Sequence, residues 1–479
     1  MDGMDGRTTS HFATQPAAAA AAGTATALPN IEGLKIWFAT YGCQMNFLDS
    51  ELALGALGDN GCKKATSEED ADVILFNTCS VRQQAEDRVA SNVGRLKARC
   101  KREPGLVVGL IGCMAQRDGQ GLLDRFPHLK LVAGTREFQR LPELLSQLRG
   151  NPTQRVLAVG TDQPVVFNRR PSLRPEWWRA QVTVMRGCDH HCTFCIVPTV
   201  RGPEQDVPAE TIIEECKMLV DDGVKEITLL GQNVDSWGRR LPDRRKAELG
   251  ELLHDLDREL HPRGLERLYF ITSHPSDFRQ PLIDAMRDCP TVCEYLHLPV
   301  QSGSTPLLRA MRRGYTREQY LELMQRCREA VPDICIATDW IVGFPGETDD
   351  DFSQSLSLLE EVGFTQSFVF RYSVRPGTRA AERLEDDVPD DVKRERNQLM
   401  LAAQERSSAR LNAARHGTMV EAMCEGASKR DAARMAGRTR GHQIVVWPGT
   451  AREFPEGELV KLRVVDSTPL VLVGEPVGE

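Results

Sequence analysis

Short apolar runs alternate with helical stretches along most of this chain, and that alternation restricts it to a parallel α/β architecture. Leu34 to Thr40, Ala71 to Asn77 and Leu106 to Gly112 read as strands. The third is almost continuously apolar, as in a strand buried on both faces. Ser50 to Asp59, capped by Asp49 or Ser50, and Gln83 to Lys101 read as the intervening helices. A second series follows, with strands near Gln181–Arg186, Lys225–Gly231, Leu265–Ser273, Tyr295–Val300, Asp333–Val342 and Gln366–Tyr372. Six strand–helix units suggest a partial (β/α)6 barrel with its active face at the strand C-termini. After a helix at Asp390 to Ala414, short strands at Met419–Cys424, Gln443–Trp447, Glu458–Val465 and Leu470–Val473 suggest a small all-β barrel.

These readings divide the 479 residues into a disordered tail (1–32), an open parallel α/β domain (33–150), a linker (151–173), a central barrel (174–404) and a C-terminal β domain (407–474). No apolar run is long enough to span a membrane. The net charge of −8 argues against a generally basic nucleic-acid coat but leaves room for a local basic patch. The 14 cysteines of so long a chain, with no secretory signal ahead of them, point to a reducing, cytoplasmic setting and to metal binding or catalysis.

Six of those cysteines form two constellations. Cys188, Cys192 and Cys195 are spaced C-x3-C-x2-C directly after the first strand of the second series. Three thiolates on one short loop can wrap three irons of a cubane and leave the fourth open to a small molecule. Zinc is the rival, but structural zinc wants four ligands, usually as two separated pairs, and neither His190 nor His191 can easily reach an ion shared by all three cysteines. Cys43, Cys79 and Cys113 each follow a strand of the first series. Residues just past neighbouring strand ends of a parallel sheet converge on one crevice, so these thiols can meet although distant in sequence. The other eight cysteines show no such pattern.

Around these positions run Tyr41-Gly42-Cys43-Gln44-Met45-Asn46, Asn77-Thr78-Cys79-Ser80-Val81-Arg82, Gly112-Cys113-Met114-Ala115-Gln116, Leu229-Leu230-Gly231-Gln232-Asn233, Thr272-Ser273-His274-Pro275, His297-Leu298-Pro299-Val300-Gln301-Ser302-Gly303-Ser304, Gly343-Phe344-Pro345-Gly346-Glu347 and Arg375-Pro376-Gly377-Thr378. The chain resembles the methylthiotransferase family of radical S-adenosylmethionine enzymes from residue 33 onward, including its small RNA-binding TRAM-like β-barrel. Gln44-Met45-Asn46 and Ser80-Val81-Arg82 fit the branch acting on isopentenyladenosine in tRNA. The branches acting on threonylcarbamoyladenosine or on a ribosomal protein have other residues at the first motif. A non-catalytic RNA-binding protein with structural clusters is the alternative from another class.

The resemblance implies two 4Fe–4S clusters. Cys188, Cys192 and Cys195 would hold the radical-generating one, and Cys43, Cys79 and Cys113 an auxiliary one whose open iron carries the sulfur to be transferred. One S-adenosylmethionine would donate the methyl and a second would supply the 5′-deoxyadenosyl radical. The product would be the 2-methylthio derivative of the isopentenylated adenosine beside the anticodon. Gly231, Gln232, Asn233, Ser273, Gln301 and Gly343 are candidates for the S-adenosylmethionine pocket. For tRNA phosphates, Lys429, Arg430, Arg434, Arg438 and Arg440 form the densest basic cluster, read as a loop, and Arg95, Lys97, Arg99, Lys101 and Arg102 form another. Trp237 and Phe344 are candidate stackers for an extruded base. An electron donor such as flavodoxin or ferredoxin, a sulfur source and a monomeric state complete the expectation. Asp189-His190-His191, Thr199, Trp340 and Arg440-Gly441-His442-Gln443 depart from the family pattern.

Overall fold

In the computed structural model, residues 30–80, 83–151, 153–160, 176–241 and 247–478 are described. Most of the tail and linker expected from sequence, and Val81 and Arg82 of the second cysteine motif, lie outside them. The chain forms two compact units: the first runs to Trp177 and includes the short segment Thr199–Gly202, and the second holds the remainder.

The first unit is a six-stranded, wholly parallel sheet of β1 (Lys35–Tyr41), β2 (Lys63–Lys64), β3 (Val73–Thr78), β4 (Val107–Gly112), β5 (Leu131–Ala133) and β6 (Val156–Ala158), ordered β2-β1-β3-β4-β5-β6. Every side chain of β3 and β4 is buried. Alternate residues serve opposite faces: Val73 and Leu75 join one apolar cluster, Ile74 and Phe76 the other. Helices cover both faces, which is why the strands lack polar alternation. Two details differ from the sequence reading. Val156–Ala158, expected in the linker, is the sheet's last strand, three residues long and therefore without a visible period. The expected helix at Gln83 to Lys101 is two, Gln83–Arg95 and Lys97–Arg102.

In the second unit the six expected strands are β7 (Arg179–Thr183), β10 (Glu226–Leu230), β11 (Arg267–Phe270), β12 (Tyr295–His297), β13 (Cys335–Val342) and β14 (Gln366–Arg371). They form two parallel three-stranded sheets, β11-β10-β7 and β12-β13-β14. A lone bridge between Leu268 and Val292 lies at the edge of β11. The expected first strand is broken at Val184: β8 (Met185–Arg186) instead pairs antiparallel with β9 (Gln205–Asp206), which re-aims the chain into the cysteine loop. Helix starts are fixed by capping boxes, Thr316 with Gln319 and Thr348 with Asp351.

The C-terminal module is a closed barrel of five strands, β15 (Met419–Ala427), β16 (Arg434–Thr439), β17 (Ile444–Pro448), β18 (Leu459–Ser467) and β19 (Val471–Pro476). Four were expected. The missed strand, β16, occupies part of the stretch read as a basic loop. Its inward residues are Met435, Gly437 and Thr439, a weak apolar signal. Gly437 is required there, because a Cβ would sit 2.2 Å from the Met423 carbonyl oxygen.

Candidate metal centres

Register explains the first constellation. Tyr41 is level with Thr78, and Thr78 with Gly112, so Cys79 and Cys113 follow at the same height and Cys43 one residue later. Gly42 and Gly112 have φ of 141° and 90°, a region that disfavours side chains. A Cβ on Gly42 would lie 2.5 Å from the Cys79 Cβ, and one on Gly112 would lie 2.1 Å from Asn77 Oδ1. Both glycines therefore let the cysteine-bearing turns close on one another.

Beneath the thiols is a buried amide network. Asn46 donates to Asn77 Oδ1 (3.1 Å), and Asn77 donates to the Asn46 carbonyl (2.8 Å) and to Ser50 Oγ (2.9 Å). The Cys43 thiol donates to Asn46 Oδ1 at 3.1 Å. Cys79 and Cys113 are buried and Cys43 is exposed, so the constellation opens at Cys43. The hydrogen bond with Cys79 draws the Cys43 pKa down to about 6, helped by the Arg201 charge and Asn46. Burial pushes Cys113 up, against the pull of Arg201. Arg201, which the sequence reading did not single out, pairs with buried Asp49 at 2.8 Å.

The second constellation lies on the loop after β8. Burial pushes the Cys188 thiol well above its ordinary value and Cys195 up to about 12, with the neighbouring cysteines adding to both. Loading such thiols with metal releases protons. Arg313, also unforeseen, is buried and donates to Cys192 Sγ at 3.4 Å and to the Pro299 carbonyl at 2.8 Å. The loop is pinned by the Thr193 amide on the Met311 carbonyl and by the Ala380 amide on the Thr193 carbonyl. Between the cysteines, His190 stacks on His274 with ring centroids 4.0 Å apart and pairs with Asp277. Ring nitrogens of both histidines and an Asp277 oxygen lie within 4.8 Å of one another. Asp277 already receives Arg239 at 2.6 Å and Asn233 at 2.7 Å, so the trio is a brace for the loop and needs no cation to balance it.

The six pocket candidates have different surroundings. Gly231, Gln232 and Asn233 follow β10, Ser273 lies beyond β11, Gln301 beyond β12 and Gly343 directly after β13. Gln232 Oε1 accepts from the Gly187 amide, while its Nε2 and the Asn233 Oδ1 are buried without a protein partner. Ser273 donates to Asp235, whose carboxyl burial lifts to about 7. Gln301 has φ 71°. Gly343 is not open space: a Cβ there would meet Lys393 Cγ at 2.2 Å. The unpartnered amide atoms at the β10 end suit a ligand that offers both a donor and an acceptor, as an amino acid does.

The expected stackers are corrected. Trp237 is 2% exposed with its indole N–H on the Val207 carbonyl, and Phe344 is fully buried against Tyr372. Neither face is available to a base. The basic cluster divides. Arg438 pairs with Glu425 at 3.1 Å, and Arg440 makes a two-nitrogen contact with Glu294 plus a bond to the Val292 carbonyl. The Arg438 pair lies within the barrel, between β16 and β15, whereas Arg440 holds the barrel on the strands beneath it, together with Arg267 on the Arg438 carbonyl. Lys429, Arg430 and Arg434 remain exposed, and among the described residues their one ion pair is that of Arg434 with Asp431 at 3.4 Å. In the other cluster Arg95 and Arg99 are committed to Glu68 and Glu103. Arg440→Ala is expected to lower the opening free energy of β16 by about 1–2 kcal/mol, read as faster amide exchange there. The salt dependence of tRNA binding should not change.

Residues 182–359 match the Radical SAM superfamily, and residues 35–134 match a family described only as Uncharacterized protein family UPF0004. Curated relatives named tRNA-2-methylthio-N(6)-dimethylallyladenosine synthase include one from Clostridium botulinum (strain Alaska E43), 41% identical over 92% of this chain and 95% of its own. Those of Carboxydothermus hydrogenoformans and Rhodopirellula baltica are 42% and 40% identical, each over at least 91% of this chain and 95% of its own. Among solved structures, a radical S-adenosylmethionine methyltransferase of Kitasatospora setae aligns with a TM-score of 0.53 at 15% identity, over 73% of this chain and 75% of that one. A cobalamin-dependent radical enzyme aligns at 0.51 and 13%, over 79% and 56%. These last two show shared fold alone. By the extent and identity of the sequence matches, the chain belongs to the tRNA-2-methylthio-N(6)-dimethylallyladenosine synthase family of radical S-adenosylmethionine enzymes.

Proposed function

We propose that this chain converts isopentenyladenosine beside the anticodon of tRNA to its 2-methylthio derivative. One observation carries the reading: besides the C-x3-C-x2-C loop, a second cysteine triplet sits in register at the ends of three neighbouring parallel strands. A radical enzyme that only abstracts hydrogen needs one cluster, whereas inserting sulfur needs a place to hold it. The groups are S-adenosylmethionine and two 4Fe–4S clusters, and they supply the methyl, the radical and the sulfur.

The chain's own residues bind and orient. Cys188, Cys192 and Cys195 are the ligands of the radical cluster, with Arg313 and the His190–Asp277 pair fixing their loop. Cys43, Cys79 and Cys113 are the ligands of the other, seated on Asn46 and Asn77. Gln232 and Asn233 offer the donor and acceptor that an amino acid's carboxylate and amino group require. Lys429, Arg430 and Arg434 are the tRNA phosphate contacts, Arg438 and Arg440 being otherwise engaged. A low-potential electron donor such as flavodoxin or ferredoxin, a sulfur source, a monomeric state and a cytoplasmic setting complete the reading. No helix among the described residues is long and apolar enough to cross a membrane.

Nucleoside analysis of tRNA from cells lacking this chain tests the reading. The 2-methylthio derivative should vanish and isopentenyladenosine accumulate, with rescue by the intact gene and none by a Cys79→Ala version. Unchanged levels of the methylthiolated nucleoside would overturn it.

A further inference from the structure

Arg201 poses a problem that the cysteine geometry alone does not solve. It lies in Thr199–Gly202, the short segment belonging to the first unit. The segment is held there by the Thr135 hydroxyl on the Val200 carbonyl at 2.7 Å. The arginine is 6% exposed and its partner Asp49 is fully buried. Burying a cation costs several kcal/mol unless it is fully satisfied. Here satisfaction is incomplete. Nη2 donates to Asp49 Oδ2 at 2.8 Å, but Nη1 is buried with no nitrogen or oxygen partner. An arginine retained only to neutralise Asp49 could use both terminal nitrogens on the carboxylate, the common fork geometry. This one holds a nitrogen back in a dry place.

Asp49, which holds that guanidinium, lies on the helix Gln44–Asp59 that starts beside Cys43, between Asn46 and Ser50 of the network under the thiols, and the charge it holds acts on both Cys43 and Cys113. Among the described residues Arg201 is the principal cation acting on both thiols. A cubane held by three thiolates is a net anion even when oxidised, and an anionic sulfur ligand on its open iron adds further negative charge. Asp49, beside it, makes matters worse. A buried guanidinium with one uncommitted donor is the group such a centre needs.

We propose that Arg201 is the anion-receiving, positioning residue of the second cluster, and that its uncommitted nitrogen holds the sulfide-type ligand on the open iron. The proposal rests on the reading of Cys43, Cys79 and Cys113 as cluster ligands. Arg201 forms no bond to iron. It donates a hydrogen bond to the bound sulfur and sets the charge around the cluster. Removing its charge favours the oxidised, less negative cluster, so the midpoint potential must fall. Lysine restores the charge but not the fork, so it recovers the potential better than the ligand geometry.

The test uses the full chain, reconstituted anaerobically, as wild type, Arg201→Met and Arg201→Lys. Iron is counted, the reduced protein is titrated with sodium sulfide under EPR, and the midpoint of the second cluster is measured. The expected result is that Arg201→Met needs at least about tenfold more sulfide for the same spectral change and that its midpoint moves negative, while Arg201→Lys returns toward the wild-type midpoint. If Arg201→Met loses the second cluster's iron and Arg201→Lys keeps it, the charge requirement is upheld. Loss in both variants, or wild-type sulfide dependence and midpoint in Arg201→Met, overturns the proposal. A wild-type chain that holds the iron of one cubane only would instead overturn the cluster assignment of Cys43, Cys79 and Cys113, and this proposal with it.

Discussion

Cys192→Ala is expected to abolish cleavage of S-adenosylmethionine to 5′-deoxyadenosine, with product formation reduced by several orders of magnitude. Three effects combine at this position. One of only three thiolates on the loop disappears, and a cubane held by two has no stable protein cradle. Arg313, which donates to that sulfur, is left with a buried, unpaired nitrogen, itself costing about 1–3 kcal/mol. The loop anchored at Thr193 is then no longer drawn toward Arg313. Cys79→Ala should behave differently. Cys79 lies in the first unit, whose amide network of Asn46, Asn77 and Ser50 does not depend on it. Fold and radical cluster should survive, the iron content should halve, and uncoupled cleavage should continue while methylthiolation stops. The measurements are iron per chain, 5′-deoxyadenosine and methylthiolated nucleoside. Full product from Cys79→Ala would place the sulfur-holding site elsewhere.

Long, strongly apolar elements were legible in the sequence because burial on both faces leaves an uninterrupted run, as at Val73–Phe76 and Val107–Ile111. The convergence of Cys43, Cys79 and Cys113 was legible because parallel strands must end level to pair. What escaped was of another kind. Arg201 and Arg313 act by burial and direction, and no local pattern distinguishes a buried arginine from an exposed one. Arg313 follows Arg312, which has φ 57°, so a turn sends adjacent arginines to different surroundings. Trp237 and Phe344, the candidate stackers for an extruded base, both fill the core, because an aromatic residue's sequence neighbours do not say which way it turns. The basic stretch Lys429 to Arg440 was read as one loop because Gly437 and Thr439 hide the inward period of β16. Once that strand is seen, Arg434 and Arg438 share its outward face but part by their partners: Arg438 turns to Glu425, and Arg440, just beyond the strand, turns to Glu294.

That separation decides the remaining prediction. The chain carries a net charge of −8, so its long-range field repels a polyanion and tRNA affinity must come from a local patch. Arginines already paired with carboxylates contribute little to such a patch, since each would have to break its ion pair to meet a phosphate. Lys429 and Arg430 have no ion pair at all among the described residues, and Arg434 has one long contact to exposed Asp431. They follow one another around the turn between β15 and β16, close enough to engage successive phosphates of a single strand. Each phosphate left without its cation should flatten the slope of log K against log salt by about 0.7–0.9. Replacing all three by Gln should therefore reduce the slope by about two and weaken tRNA binding by roughly tenfold or more near physiological salt. Sequence preference at the modified base should be unchanged, because phosphate contacts position the RNA without reading it. Iron content and uncoupled S-adenosylmethionine cleavage should also be unchanged, which separates a weakened grip from a damaged fold. An unaltered slope in the triple variant would move the phosphate contacts to the exposed Lys97, Lys101 and Arg102 of the first unit.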